Sequence, residues 1–278
     1  MGSIYALMAL GYTIVYNALR LINFAQGDFF MLGATFGVTF FVTLNIPYPI
    51  SLVFSALVVG IIGMIVERSV FRPLRNYPPF NLIIATIGVS ITIRAIALLL
   101  WGSQALAFPA VFGSKPIKIG SLVIMPAYLW MLGIALAFIC LLQVFFSRTI
   151  LGKAMRAAAQ NRSAAFLMGI NVFHMDALAA AISAGLGGIG GILVAPIFFA
   201  DTAMGALAGL KGFAAAVLGG FGSIPGSIVG GIILGLSENL SASLISSSYR
   251  DAVAFVILIA VLLLKPSGLL GKKGGIKA

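Results

Sequence analysis

Acidic residues are scarce: Asp28, Glu67, Asp176, Asp201, Glu238 and Asp251 are the whole set in 278 residues. No two stand close enough in sequence to form the clustered carboxylates that hold Mg²⁺ in membrane phosphoryl or prenyl transferases. His174 is the one histidine, and with no second His or Cys nearby it builds no metal site. Cys140 is the one cysteine; it permits no intramolecular disulfide and says nothing about redox compartment. A G-x-S-x-G elbow and a G-x-x-x-x-G-K-[ST] phosphate loop are both missing. The chain is therefore expected to be no enzyme, and to hold no catalytic residue, metal or cofactor of its own. Met1 leads straight into apolar sequence without a cleavable signal peptide, and Ala6 stands where a myristoylation signal wants Ser or Thr.

Apolar side chains are what the sequence has in excess. Hydrophobic residues make up 61% and charged ones 8%, against roughly a quarter charged in soluble domains. Runs of about 20 apolar residues recur along the chain, which predicts an all-α polytopic membrane protein with about eight or nine transmembrane helices, some short or broken. The short alternating segments of a β-barrel are not seen. Candidate spans are Gly2–Asn17, Phe29–Leu44, Pro49–Val66, Leu82–Trp101, Ala127–Phe146, Ala177–Phe199, Leu207–Gly220, Ile228–Ile245 and Ala252–Leu264. The first is short of a full crossing, so a truncated or misassigned start is expected, with a half-span as the alternative. Leu207–Gly220 is also short and reads alternatively as a broken or re-entrant helix.

The net charge of +11 invites a nucleic-acid reading, but the positive-inside rule explains it better. Nine alternating crossings, N-terminus out and C-terminus in, put Arg20, Arg68, Arg72, Arg75, Arg148, Lys153, Arg156, Arg162, Lys265, Lys272, Lys273 and Lys277 inside. Lys115, Lys118, Lys211 and Arg250 fall outside, and Arg94 lies within a span. Residues 102–126 form an external loop, read as an ordinary loop with a small hairpin or lid as the alternative. Gly185, Gly187, Gly188, Gly190 and Gly191, and later Gly226, Gly230, Gly231 and Gly235, mark faces where helices approach closely. Two glycine-punctuated turns, Leu21–Asp28 and Gly219–Gly226, hint at an internal duplication.

Several polar residues invite a role. Glu238 lies eleven residues past Ser227, about 17 Å along a helix, and Arg94 twelve past Leu82, about 18 Å. A bare charge at that depth is costly, so the two are expected to pair or to line one aqueous path, or Glu238 reaches the outer interface. Asp28 suits a helix N-terminus, and Asn23 and Gln26 beside it suit the inner mouth of a path for a zwitterionic solute. Glu67 with Arg68, Arg72 and Arg75 reads as an interfacial ion-pair cluster. Residues 147–176 are too polar for lipid: Ala164, Ala165, Leu167 and Met168 form an apolar strip, Gly169 stops the helix, and Asn171 and Asp176 offer caps. Periodicity leaves a helix docking on a partner and a helix lying on the bilayer level with one another.

Five stretches carry a resemblance: GSIYALMALGYTIVY with LINFAQGDFFMLGA, ERSVFRPLR, LGKAMRAAAQNRSAAFLMGIN, KGFAAAVLGGFGSIPGSIVGGIILG and KPSGLLG. In order and over nearly the whole chain, they resemble the inner-membrane permeases of branched-chain amino acid ABC importers, specifically the H-type subunit of the high-affinity leucine/isoleucine/valine system. The resemblance implies one permease domain over 1–278 in a prokaryotic inner membrane, paired with a second related permease as a heterodimer or homodimer. It also implies two cytoplasmic ATPases carrying ATP and Mg²⁺, an extracytoplasmic solute-binding protein and a lipid surround, without nucleic acid. The coupling segment is then carried by Arg156, Ala159, Ala164, Ala165, Met168, Gly169, Ile170 and Asn171, with the alanine strip rather than the basic residues touching the ATPase. The translocation path is expected at Asn23, Gln26, Asp28, Arg94 and Glu238. Transport of urea or short amides, or ion-coupled secondary transport through Glu238, are the alternatives.

Overall fold

The computed structural model describes residues 1–111, 113, 115–119, 122–244 and 246–271. Ile245, Lys272, Lys273 and Lys277, on which the span and orientation expectations drew, lie outside the described residues. The helices in order are α1 (Gly2–Leu19), α2 (Gln26–Val38), α3 (Tyr48–Val66), α4 (Pro79–Trp101), α5 (Pro126–Arg148), α6 (Ile150–Gln160), α7 (Arg162–Leu167), α8 (Val172–Phe198), α9 (Met204–Gly219), α10 (Ile224–Leu244) and α11 (Arg250–Leu264). Among the described residues, six are long and apolar enough to cross a membrane: α1, α3, α4, α5, α8 and α10. With the shorter apolar α2, α9 and α11 they account for the nine expected segments. Proline in the first turn starts α3, α4 and α5, where the missing N–H costs nothing. A π-turn at Thr39–Thr43 extends α2, and another at Glu67–Phe71 ends α3.

The centre of the bundle is α8, buried from Ser183 to Ala195 and packed against α1, α2 and α3. Its glycine face makes this possible. A Cβ at Gly191 would overlap the Phe30 carbonyl oxygen, and Gly33 of α2 lies against the backbone of Gly188. The same device joins α10 to α1, with Gly231 against Ala6 and Gly235 against Gly2. In lipid no hydrophobic drive pulls helices together, so close backbone packing and interhelical hydrogen bonds hold them. Ser183 supplies such bonds: its one hydroxyl proton is shared between the Gly11 carbonyl and Gln26 Oε1, each at 2.8 Å, and its carbonyl accepts from the Gln26 amide at 2.9 Å.

Two features differ from expectation. Gln26, at the start of α2, meets Ser183, which is eleven residues and about 17 Å into α8. Therefore α2 begins deep in the bundle rather than at its edge, and Gly27 there touches Gly205 at the start of α9. Within residues 102–126, Ile117–Ile119 pairs antiparallel with Leu122–Ile124, so the hairpin forms where an ordinary loop was favoured. The alternating apolar residues at Ile117 and Val123 were its signal. A bridge from Leu106 to Ala200 ties this region to the end of α8.

Leucine at Gly191 is expected to force α2 off α8 and to cost at least the roughly 1–3 kcal/mol typical of overpacking. Alanine at Gly88 or Gly133, which have open space where a Cβ would go, is expected to be neutral or slightly stabilising. Thermal unfolding in detergent checks both; equal loss at all three positions would refute the close-approach account.

Candidate functional site

Between α5 and α8 the chain is divided by three capping side chains. Thr149 Oγ1 accepts from the Gly152 N–H at 3.0 Å and opens α6. Asn161 Oδ1 accepts from the Ala164 N–H at 3.0 Å and opens α7. Gly169, at φ +82°, ends α7, with the Ile170 N–H donating to the Ala165 carbonyl at 3.0 Å. Asn171 Oδ1 then accepts from the His174 N–H at 3.2 Å and opens α8. The outcome is a bent arm with a packed inner face of Met155, Ala158, Ala165 and Val172.

Of the expected apolar strip, Ala164, Leu167 and Met168 are exposed, and Ala165 is not. Ala165 is only 4% exposed and packs inward against Ala158 and Val172. Phe166, Leu167 and Met168 stand out at 66%, 84% and 83% exposed. Because α7 lasts little more than one turn, the left-handed residue at Gly169 swings its last side chains away from the face that Ala165 buries. Arg156, Ala164, Gly169 and Asn171 are exposed, and Ala159 and Ile170 half-buried.

The arm is clamped at its base by Asp176. Its buried carboxylate accepts from Arg162 of α7 at 2.5 Å and pairs with Arg75 at 2.8 Å. Arg162 also donates to the Ala18 carbonyl of α1 at 2.7 Å, and Arg20 donates to the Ala159 carbonyl at 3.2 Å. Arg72 donates to the Phe173 carbonyl at 3.1 Å, and both Arg72 and Arg75 lie over the Phe173 ring. Glu67, fully buried, stands 3.7 Å from Arg72. The cluster foreseen around Glu67 therefore extends to the arm but leaves out Arg68, which has no ion-pair partner among the described residues; Asp176 caps nothing and instead ties α8 to α7 and to the Pro73–Asn76 turn.

The expected path residues divide differently. Arg94 does not meet Glu238; it pairs with Asp28 at 3.3 Å. Glu238 pairs with Lys211, accepts from the Tyr5 hydroxyl at 2.7 Å and stands 3.8 Å from Arg250. Lys211 in turn bonds Asp251 at 2.6 Å. This four-charge group balances, two positive against two negative, across α1, α9, α10 and α11. Lys211, placed outside by the loop count, is in fact a buried residue of α9. A lysine in a short Gly/Ala-rich span was the available signal, and Tyr5 had none. Asn23 and Gln26 lie at the buried start of α2 rather than at an inner mouth: Asn23 Oδ1 accepts from the Ala25 N–H at 3.1 Å, and Gln26 is taken by Ser183. Asp28 does occupy the first turn of α2, where its charge suits the helix end.

Removing one member of a buried pair strands the other and costs more than removing both. Lys211→Met is therefore expected to destabilise the protein, and Lys211→Met with Glu238→Gln to recover most of the loss. Arg94→Met with Glu238→Gln is expected to be additive. Thermal unfolding of the three single and two double variants decides, since coupling between positions 94 and 238 would contradict the pairing seen. Asp176→Ala is expected to raise hydrogen exchange over residues 162–171 while leaving α8 protected, and uniform exchange would refute the clamp.

Comparison with known proteins agrees with this architecture. The family model for the branched-chain amino acid transport system permease component matches residues 1–262. The high-affinity branched-chain amino acid transport system permease protein LivH of Salmonella typhimurium is 36% identical, over 98% of this chain and 92% of that protein. LivH of Escherichia coli is 35% identical over the same shares. BraD of Pseudomonas aeruginosa, named as the same kind of permease, is 36% identical, again over 98% and 92%. No solved structure is a significant match. On the match over residues 1–262, the chain belongs to the family of branched-chain amino acid transport system permease components.

Proposed function

We propose that this chain is one membrane subunit of an ATP-driven importer for branched-chain or other small amino acids. It pairs with a second, related permease; an external solute-binding protein delivers the solute. Two ATPase subunits, which carry the ATP and Mg²⁺, dock at residues 147–176. The observation that carries the reading is the α6–α7 arm, which holds Phe166, Leu167 and Met168 out of the bundle on a clamped base. A free apolar tip on a rigid mount suits insertion into a groove of a partner better than it suits a solvated loop.

The mount also explains how motion would pass inward. Arg162 bonds both the Ala18 carbonyl near the end of α1 and Asp176 near the start of α8. An ATPase that pulls on α7 thus pulls on the two helices that enclose the start of α2. The basic ends of the helices face the ATPases, with the N-terminus outside and residues 102–126 on the side of the solute-binding protein. A secondary transporter would need Glu238 free to bind an ion, whereas Lys211 and Tyr5 occupy it.

Leu167→Glu with Met168→Glu is expected to abolish co-purification of the ATPase and to cut amino acid uptake at least ten-fold, while the variant chain still inserts and elutes normally. Arg156→Gln, on an exposed basic residue, is expected to leave co-purification within two-fold. Retained ATPase in the first variant would refute docking at this tip. Proton-driven uptake by the chain alone would overturn the importer reading as a whole.

A further inference from the structure

The membrane-facing side of the bundle carries a groove that the transport reading leaves unused. Its walls are α3 and α5 and its floor is α8, and it encloses about 500 Å³. Small residues hollow out the floor and one wall: Ala56 and Gly60 on α3, Ala181 and Gly185 on α8. Large apolar side chains, such as Leu57 and Leu141, line the rest, without a charged residue. On α3 the lining runs from Val53 to Met64, and on α8 from Leu178 to Ile189. Each spans twelve residues, about 17 Å of helix from first to last. One leaflet of a hydrocarbon core of roughly 30 Å has nearly that depth.

Met64, Phe145 and Leu178 mark the end of the groove nearest the segments where the arginines gather. Arg72, Arg75 and Arg162 there are all engaged with Glu67, Asp176 or backbone carbonyls. Arg68 and Arg148 are not: both are exposed, and neither has an ion-pair partner among the described residues. Arg68 follows Met64 by four residues on one wall, and Arg148 follows Phe145 by three on the other. Two unpaired guanidinium groups therefore flank the mouth of an acyl-lined slot at headgroup depth. We propose that this groove binds an anionic glycerophospholipid, with an acyl chain between α3 and α5 and the phosphate held by Arg68 and Arg148. Guanidinium groups suit that phosphate because their paired N–H donors match its oxygens. A basic site between spans reads an anionic headgroup in the same way.

The test is native mass spectrometry of the full-length protein in mild detergent, titrated with phosphatidylglycerol or phosphatidylcholine of the same chains. Wild type is expected to bind phosphatidylglycerol at least ten-fold more tightly, and R68Q with R148Q to abolish that preference. Leu57→Trp with Leu141→Trp, at positions 56% and 63% exposed and so tolerant of change, is expected to lower occupancy by both lipids with unchanged elution. Equal affinity of wild type for the two lipids, or an unchanged preference in the arginine variant, would overturn the proposal. So would efficient cross-linking of Leu57→Cys, in a Cys140→Ser background, to a second permease subunit in membranes, because a helix would then fill the groove.

Discussion

The bundle depends on α8 being able to touch its neighbours backbone to backbone. Gly187, Gly188 and Gly191 present no side chain to α2, and Gly63 of α3 fits against Ala180 and Ala184. In water such a face would be a poor core, because it buries little apolar area. In lipid the comparison is different: leucine against acyl chain is as favourable as leucine against leucine, so contact distance and interhelical hydrogen bonds decide. Ser183, reaching both Gly11 and Gln26 from the same face, adds the polar part of that contact. At the short start of α2, Ser183 of α8 satisfies the Gln26 amide and the Asn23 side chain satisfies the Ala25 N–H.

Charge is handled by the same economy. Asp176 is met by arginines from two distant segments, Glu238 by Lys211 with Tyr5 and Arg250, and Asp28 by Arg94. Each of these three acids has its base on another element, so each pair fixes the placement of two helices as well as cancelling a charge. A buried ion pair is weak as a source of stability, since desolvation offsets much of its attraction. Its value here is positional: an Asp176 without Arg162 would leave α7 attached to the bundle by little more than the Ala158–Ala165–Val172 contact.

Much of this was legible in the sequence, and what was not has a physical cause. Apolar run length located the nine helical segments, because the bilayer sets that length. Gly169 and Asn171 announced the end of α7 and the start of α8 through local backbone chemistry that needs no tertiary context. The partners of buried charges were not legible. Depth along a helix is a single coordinate, and Arg94 and Glu238 share it while standing on helices that face different neighbours. At the tip, Leu167 and Met168 of the expected strip do stand out while Ala165 turns inward, because residues two apart on a helix of 3.6 residues per turn fall on opposite faces.

These constraints meet at the arm. On the proposed reading the arm is a docking element, which must resist the force applied to it while its tip stays free of the bundle. The sequence resolves the conflict by putting all the fixed chemistry at the base, where Asp176, Arg75 and Arg162 converge, and leaving only apolar side chains at the end. The base is shared with α1 and α8. Those helices cannot separate from α2 without loss of the Gln26–Ser183–Gly11 bonds, so a displacement of the arm large enough to matter must move the three together.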